Sequence, residues 1–150
     1  MATVRGLDEF SRNLERLSRA TQGKALGQAV LTGGQEIVNE AKSNILSQGL
    51  VQTGNLRRSM DIELIEASSE RATAQIGTNL IYAAIHEFGG EIRPVNARAL
   101  VFEIDGKTVV TQLVRMPARP YLRPAFESGR EAAVANFRAA LADLIREALR

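Results

Sequence analysis

Residues 61–76 read Asp61-Ile62-Glu63-Leu64-Ile65-Glu66-Ala67-Ser68-Ser69-Glu70-Arg71-Ala72-Thr73-Ala74-Gln75-Ile76. Ile62 and Leu64 alternate with Asp61 and Glu63, the period of a strand with one buried face. Ala67-Ser68-Ser69-Glu70 suits a turn. Ala72, Ala74 and Ile76 then alternate with Arg71, Thr73 and Gln75, the partner strand of a hairpin.

Upstream the period changes. Leu26, Val30, Ile37, Ala41 and Ile45 form the apolar stripe of a long helix from about Lys24 to Leu46, with Gly33 on the same face. Gly33-Gly34 either weakens that helix or lets a neighbour approach closely. Ser47-Gln48-Gly49 ends it. Thr53 to Ser59 reads as a helical turn with Thr53 as its N-cap. Further upstream, Leu7, Phe10, Leu14 and Leu17 share one face of a first helix, from Leu7 to Arg19. Asp8 and Glu9 lie in its first turn, where the helix dipole favours negative charge.

Downstream, Asn79 to Phe88 is expected to be a short helix closed by Gly89-Gly90. Glu91-Ile92-Arg93-Pro94 is extended, since a residue before proline avoids the helical region. Leu100–Ile104 and Thr108–Val114 flank Asp105-Gly106-Lys107, a second hairpin. Met116-Pro117-Ala118-Arg119-Pro120 reads as a loop. A last helix runs from about Pro124, with Phe126, Val134, Phe137, Leu141, Leu144, Ile145 and Ala148 on its apolar side. Arg130, Ala133, Arg138 and Ala142 occupy the other side, where small residues suit packing against another subunit. The expected class is α+β: an antiparallel sheet of about four strands against a long helix, with N-terminal and C-terminal helices. A chain of 150 residues without repeat or linker suits one domain spanning 1–150.

Composition limits the chemistry. The chain has no cysteine and one histidine, His86, so thiol nucleophiles, cysteine-bound zinc and histidine pairs are excluded. His86-Glu87 resembles the start of a zinc-protease helix motif, but position 90 is glycine where the second histidine would stand. Asp61, Glu63 and Glu66 could face a hard cation, although their face is the solvated one. No nucleophile and base can be paired, so no enzyme and no cofactor are expected. No apolar run approaches the roughly 18–20 residues of a membrane span. The opening Met1–Gly6 lacks a signal-peptide pattern, so synthesis in the cytoplasm is expected.

Net charge is +2, and of the 19 basic residues only Lys24, Lys42 and Lys107 are lysine. So even a balance does not mark a dedicated DNA binder. Arg115, Arg119 and Arg123, with Arg130 beyond, suit either DNA phosphates or a subunit interface. Tyr121 and Phe126 beside them fit an interface hot spot or core packing.

Three blocks stand out in order. They are Thr53-Gly54-Asn55-Leu56-Arg57-Arg58-Ser59, Tyr82-Ala83-Ala84-Ile85-His86-Glu87-Phe88-Gly89-Gly90 and Arg119-Pro120-Tyr121-Leu122-Arg123-Pro124-Ala125-Phe126. Together with the Gly6-Leu7-Asp8 opening, this pattern resembles the small tail-component family of long-tailed phages, also called neck, tail-completion or head–tail joining proteins. The virion-morphogenesis family of contractile-tailed phages shares the Tyr-Ala…His-x-x-Gly flavour.

That resemblance implies a structural virion protein at the head–tail junction, assembled in the host cytoplasm as a homo-oligomeric ring. Implied neighbours are head-completion or stopper, tail-terminator and tail-tube proteins, with non-specific contact to packaged DNA. It implies no membrane and no small-molecule substrate. A tail terminator and a DNA-binding module using Arg115, Arg119 and Arg123 are the alternatives. The resemblance carries over no catalytic residue. The motif positions Thr53, Gly54, Leu56, Arg57, Ser59, Tyr82, His86, Glu87, Phe88, Gly89, Arg119, Pro120, Leu122, Arg123 and Pro124 are expected fold or interface determinants. The segments Met116–Pro124 and Gly89–Ala99 are expected interface elements.

Overall fold

A computed structural model of the chain describes residues 11, 12, 15, 16, 23–68 and 70–148. Ser11, Arg12, Glu15 and Arg16 are helical, and the rest of the expected first helix lies outside the described residues. The remaining elements are α1 (Gly23–Ser47), α2 (Asn55–Ser59), β1 (Asp61–Ala67), β2 (Ala72–Gly77) and α3 (Ala83–Phe88), followed by β3 (Gly90–Ile92), β4 (Leu100–Ile104), β5 (Lys107–Thr111), β6 (Val114–Met116) and α4 (Leu122–Ala148). The class is α+β. No described helix is long and apolar enough to cross a membrane.

Helix α1 is the central element, with the β1–β2 hairpin on one side and α4 on the other. Its stripe is wider than the periodicity indicated: Ala29 and Val38 are fully buried beside Ala41 and Ile45. The two glycines explain how both neighbours come close. A Cβ on Gly33 would sit 2.7 Å from the Ala133 carbonyl oxygen of α4, and one on Gly34 would collide with Ile62 of β1. Each therefore serves close approach on a different flank. The chain terms of this packing are antiparallel, since Gly33 faces Ala133 and Phe137 while Asn44 reaches Tyr121.

The buried ridge of α4 is Ala125, Gly129 and Ala133, spaced four residues apart and continuing the line of the buried Tyr121 just before the helix. Such a row of small side chains lets two helix backbones approach. This corrects the reading of α4. Phe126 and Val134, expected in the core, are 45% and 41% exposed, and Ala133, expected on the outer face, is buried against α1. Small residues set this part of the inner face because the two helix backbones approach closely there, so that a Cβ on Gly33 would already meet the Ala133 carbonyl. The core cluster is completed by Leu56, Met60 and Ala83, with Leu50, Leu80 and Leu122 packed around it.

The strands form three two-stranded antiparallel sheets, β1–β2, β3–β6 and β4–β5, where about four strands in one sheet were expected. Strand β1 carries a bulge between Leu64 and Glu66, which leaves Ile65 outside the alternation and 57% exposed. The second hairpin turns at Asp105 and Gly106, both with positive φ (50° and 75°), as its two-residue turn requires. Its return strand stops earlier than expected. The Thr111 hydroxyl accepts from Leu113 N–H at 3.2 Å and contacts its carbonyl oxygen at 3.0 Å, breaking the ladder. Val114–Met116 then pairs with Gly90–Ile92, so Met116 belongs to a strand and not to a loop.

Candidate interaction site

The first motif block follows the end of α1. The cap of α2 is Gly54, at φ 74°, with no side-chain cap. This corrects the expectation for Thr53, whose hydroxyl accepts only a long 3.4 Å contact from Asn55 N–H. Thr53 lies one residue too early because Gly54 takes the left-handed conformation that starts the turn. Leu56 plunges into the core at 3% exposure. The Ser59 hydroxyl donates to the Leu56 carbonyl at 3.0 Å and shares a 2.6 Å hydrogen bond with Thr78, tying α2 to the end of β2. Arg57 is exposed. The guanidinium of Arg58 donates to the Thr53 carbonyl at 3.0 Å and to Asn55 Oδ1, which holds the turn shut.

The second block forms α3. It starts at Ala83, later than Asn79, because the Thr78 hydroxyl accepts from Leu80 N–H (3.2 Å) and holds a turn there. Tyr82 and His86 stack edge to face, with ring centroids 6.1 Å apart. Phe88 projects outward, 68% exposed. Gly89 has φ 68°, and a Cβ there would lie 2.7 Å from Ala118 N and 2.9 Å from the Met116 carbonyl oxygen. Glycine is thus required twice, for its torsion and for the passing strand.

The carboxylate of Glu87, 8% exposed, joins the second block to the third. Its Oε2 accepts from Tyr121 N–H (2.8 Å) and Leu122 N–H (2.9 Å), and its Oε1 from Arg123 N–H (2.9 Å). A helix leaves its first four amides without partners. In α4 three of these bond to Glu87 and the fourth residue, Pro124, has no N–H to satisfy. The negative charge also sits at the positive end of the helix dipole. Three further bonds pin the same segment. Arg119 N–H donates to the His86 carbonyl at 2.7 Å, Gln48 Nε2 to the Pro120 carbonyl at 2.6 Å, and Asn44 Nδ2 to the Tyr121 carbonyl at 3.0 Å. Tyr121 is 3% exposed, and burial, reinforced by the Glu87 charge, pushes its hydroxyl up to about 12.

The three blocks meet at an open pocket of about 530 Å³. Thr53, Gly54, Asn55 and Leu56 supply one wall, Tyr82, Ile85 and His86 a second, and Ile92, Met116 and Arg119 a third. Its lining is partly apolar and contains no carboxylate residue. The buried Nδ1 of His86 has no hydrogen-bond partner among the described residues.

Arg115 leaves the arginine group, since its Nε contacts Glu91 Oε1 at 3.2 Å, and Arg93 holds the other oxygen at 2.9 Å. Arg123 is exposed on the first turn of α4. Asp61 and Glu63 line an open pocket of about 730 Å³ with Arg58 and Gln75. Among the described residues no group of three histidine, aspartate or glutamate side chains is placed to hold a metal ion.

Sequence reasoning placed Glu87 in a motif but missed its bonding, because its partners lie 34–36 positions away. The available signal was an acid in one block and a Pro-Tyr-Leu-Arg-Pro helix start in another.

Comparisons with curated proteins and with solved structures gave no match. Residues 8–89, more than half of the chain, match the family model described as "Bacteriophage HK97-gp10, putative tail-component". The match contains the first block and the second up to Gly89, the glycine that closes α3; the third block lies beyond it. The chain belongs to this HK97-gp10-like family of bacteriophage tail components.

Proposed function

We infer that the chain is a structural, non-enzymatic protein of the virion that forms a ring-shaped connector at the head–tail junction. Membership of the tail-component family is the observation that carries this reading. The geometry supports it in one respect. The motif side chains spend their chemistry on helix ends, turns and a surface pocket, which suits recognition of another protein surface. Identical subunits that associate head to tail close into a ring when the rotation allows. Neighbouring partners are then head-completion or stopper proteins above and tail-terminator or tail-tube proteins below. Packaged DNA passing through the ring would meet the exposed arginines only non-specifically.

The test is negative-stain electron microscopy of a lysate from the parent phage with this gene deleted. Filled heads lying apart from tails of normal length are expected. Overlong tails would assign the protein as tail terminator instead. Intact infectious particles would overturn both assignments.

A further inference from the structure

Two surfaces of the described chain lack a partner within it, and they complement one another. The first is the pocket between the three motif blocks. It presents Arg119 and the Tyr82–His86 pair over an apolar floor that includes Ile85 and Met116. No carboxylate lines it. The charge of Glu87 is turned inward onto the α4 amides, and that of Glu91 is held by Arg93 and Arg115. The pocket therefore favours an occupant combining apolar side chains with negative charge.

The second surface is the β4–β5 hairpin. None of its residues is buried. The cross-strand pair Val101 and Val110 is 66% exposed on each side, and Ile104 is 53% exposed. Leu100, Phe102, Val109 and Thr111 on its other face are half-buried, so the Val101–Val110 face alone is uncovered, and a two-stranded hairpin gains stability when something packs on such a face. Its end carries Glu103 and Asp105 against Lys107, all exposed, which leaves it acidic and apolar.

The arm does not fill its own pocket. It springs from the β3–β6 sheet, whose Ile92 and Met116 form one wall of that pocket. Its five-residue strands span roughly 17 Å at the usual rise per residue. We propose that the tip of the β4–β5 hairpin of one copy docks into the motif pocket of the next copy, with Ile104 on the apolar floor and Glu103 facing Arg119. The contact joins two different patches, so it propagates head to tail and builds a ring where its rotation closes. It rests on the ring-forming reading above and names the contact that reading leaves open.

The chain has no cysteine, so engineered thiols report this contact cleanly. Phage carrying Gln52→Cys (at the pocket) together with Lys107→Cys (at the tip, which leaves Glu103 in place) would be purified and oxidised. The protein would then be run on a non-reducing gel and its copies per particle counted on a reducing one. The expected result is a ladder of linked multimers from the double variant and none from either single variant. Several copies per particle without a ladder would overturn the docking contact and leave the ring intact. One copy per particle or none in wild-type phage would overturn the ring and the contact together. A charge exchange guards against failure of the cysteine variants to assemble. Arg119→Glu is expected to lower infectious particles at least tenfold, and Glu103→Arg in the same chain to restore most of them. Absence of that rescue would overturn the pairing.

Discussion

Replacing Glu87 with alanine removes the acceptor for three amides at once, those of Tyr121, Leu122 and Arg123. A hydrogen bond to a charged group contributes about 1.5–3 kcal/mol when probed singly. The three do not add fully. Tyr121 is buried and its amide finds no water, whereas Leu122 is half-buried and Arg123 exposed, so their amides rehydrate. Removing the buried charge also relieves a desolvation cost. The expected loss is about 3 kcal/mol, a large part of the roughly 5–15 kcal/mol that holds a domain together. Glu87→Gln keeps one acceptor oxygen for two amides and turns an amide donor toward the other, so about 1–2 kcal/mol should be lost. Urea unfolding followed by circular dichroism at 222 nm measures both variants. With a slope of about 1.5 kcal/mol/M, Glu87→Ala should lower the midpoint by about 2 M and Glu87→Gln by about half as much. A Glu87→Ala midpoint within about 0.3 M of wild type would refute the assignment of Glu87 as the cap of α4.

Gly89→Ala should lower the melting temperature more than an ordinary surface substitution, by about 2 kcal/mol equivalent, because the added methyl meets Ala118 and Met116 backbone at a positive φ. Tyr121 gives a pH signature. Its hydroxyl is neutral in both states below pH 10. Between pH 10 and about 12 the unfolded chain ionises while the folded chain does not, so stability falls as pH rises, by at most about 1.4 kcal/mol per pH unit. Denaturant midpoints across that range should flatten in Tyr121→Phe. Arg115→Ala, which breaks an exposed pair with Glu91, should change stability by less than about 1 kcal/mol in the same assay.

The parts of the fold written in local periodicity were legible. The hairpin at 61–77 and helix α1 fall within a residue or two of their sequence limits, because side chains three, four or two positions apart report directly on a face. On α4 Phe137, Leu141, Leu144 and Ile145 are half-buried as their spacing indicates, but Phe126, Val134 and Ala133 depart from it for the opposite reason. Phe126 and Val134 look like core by size, yet the inner face is set by the close approach of the two helices, where Gly33 faces Ala133 and Phe137. The division into three sheets was equally invisible. Pairing of Gly90–Ile92 with Val114–Met116 spans a whole inserted hairpin and rests on three residues per strand. At the site, the blocks themselves could be seen, but not that Glu87 binds the start of α4 or that all three blocks share a pocket. Those relations are set by tertiary contact, and only the order of the blocks hinted at them.

Placement at the head–tail junction is tested most directly by labelling intact phage. Virions would be treated with gold-conjugated antibody raised against the purified protein and imaged in negative stain. A connector predicts gold confined to the point where head meets tail, on separated heads or tails as well as on whole particles. Gold distributed along the tail, at its distal tip, or absent from purified virions would contradict that placement.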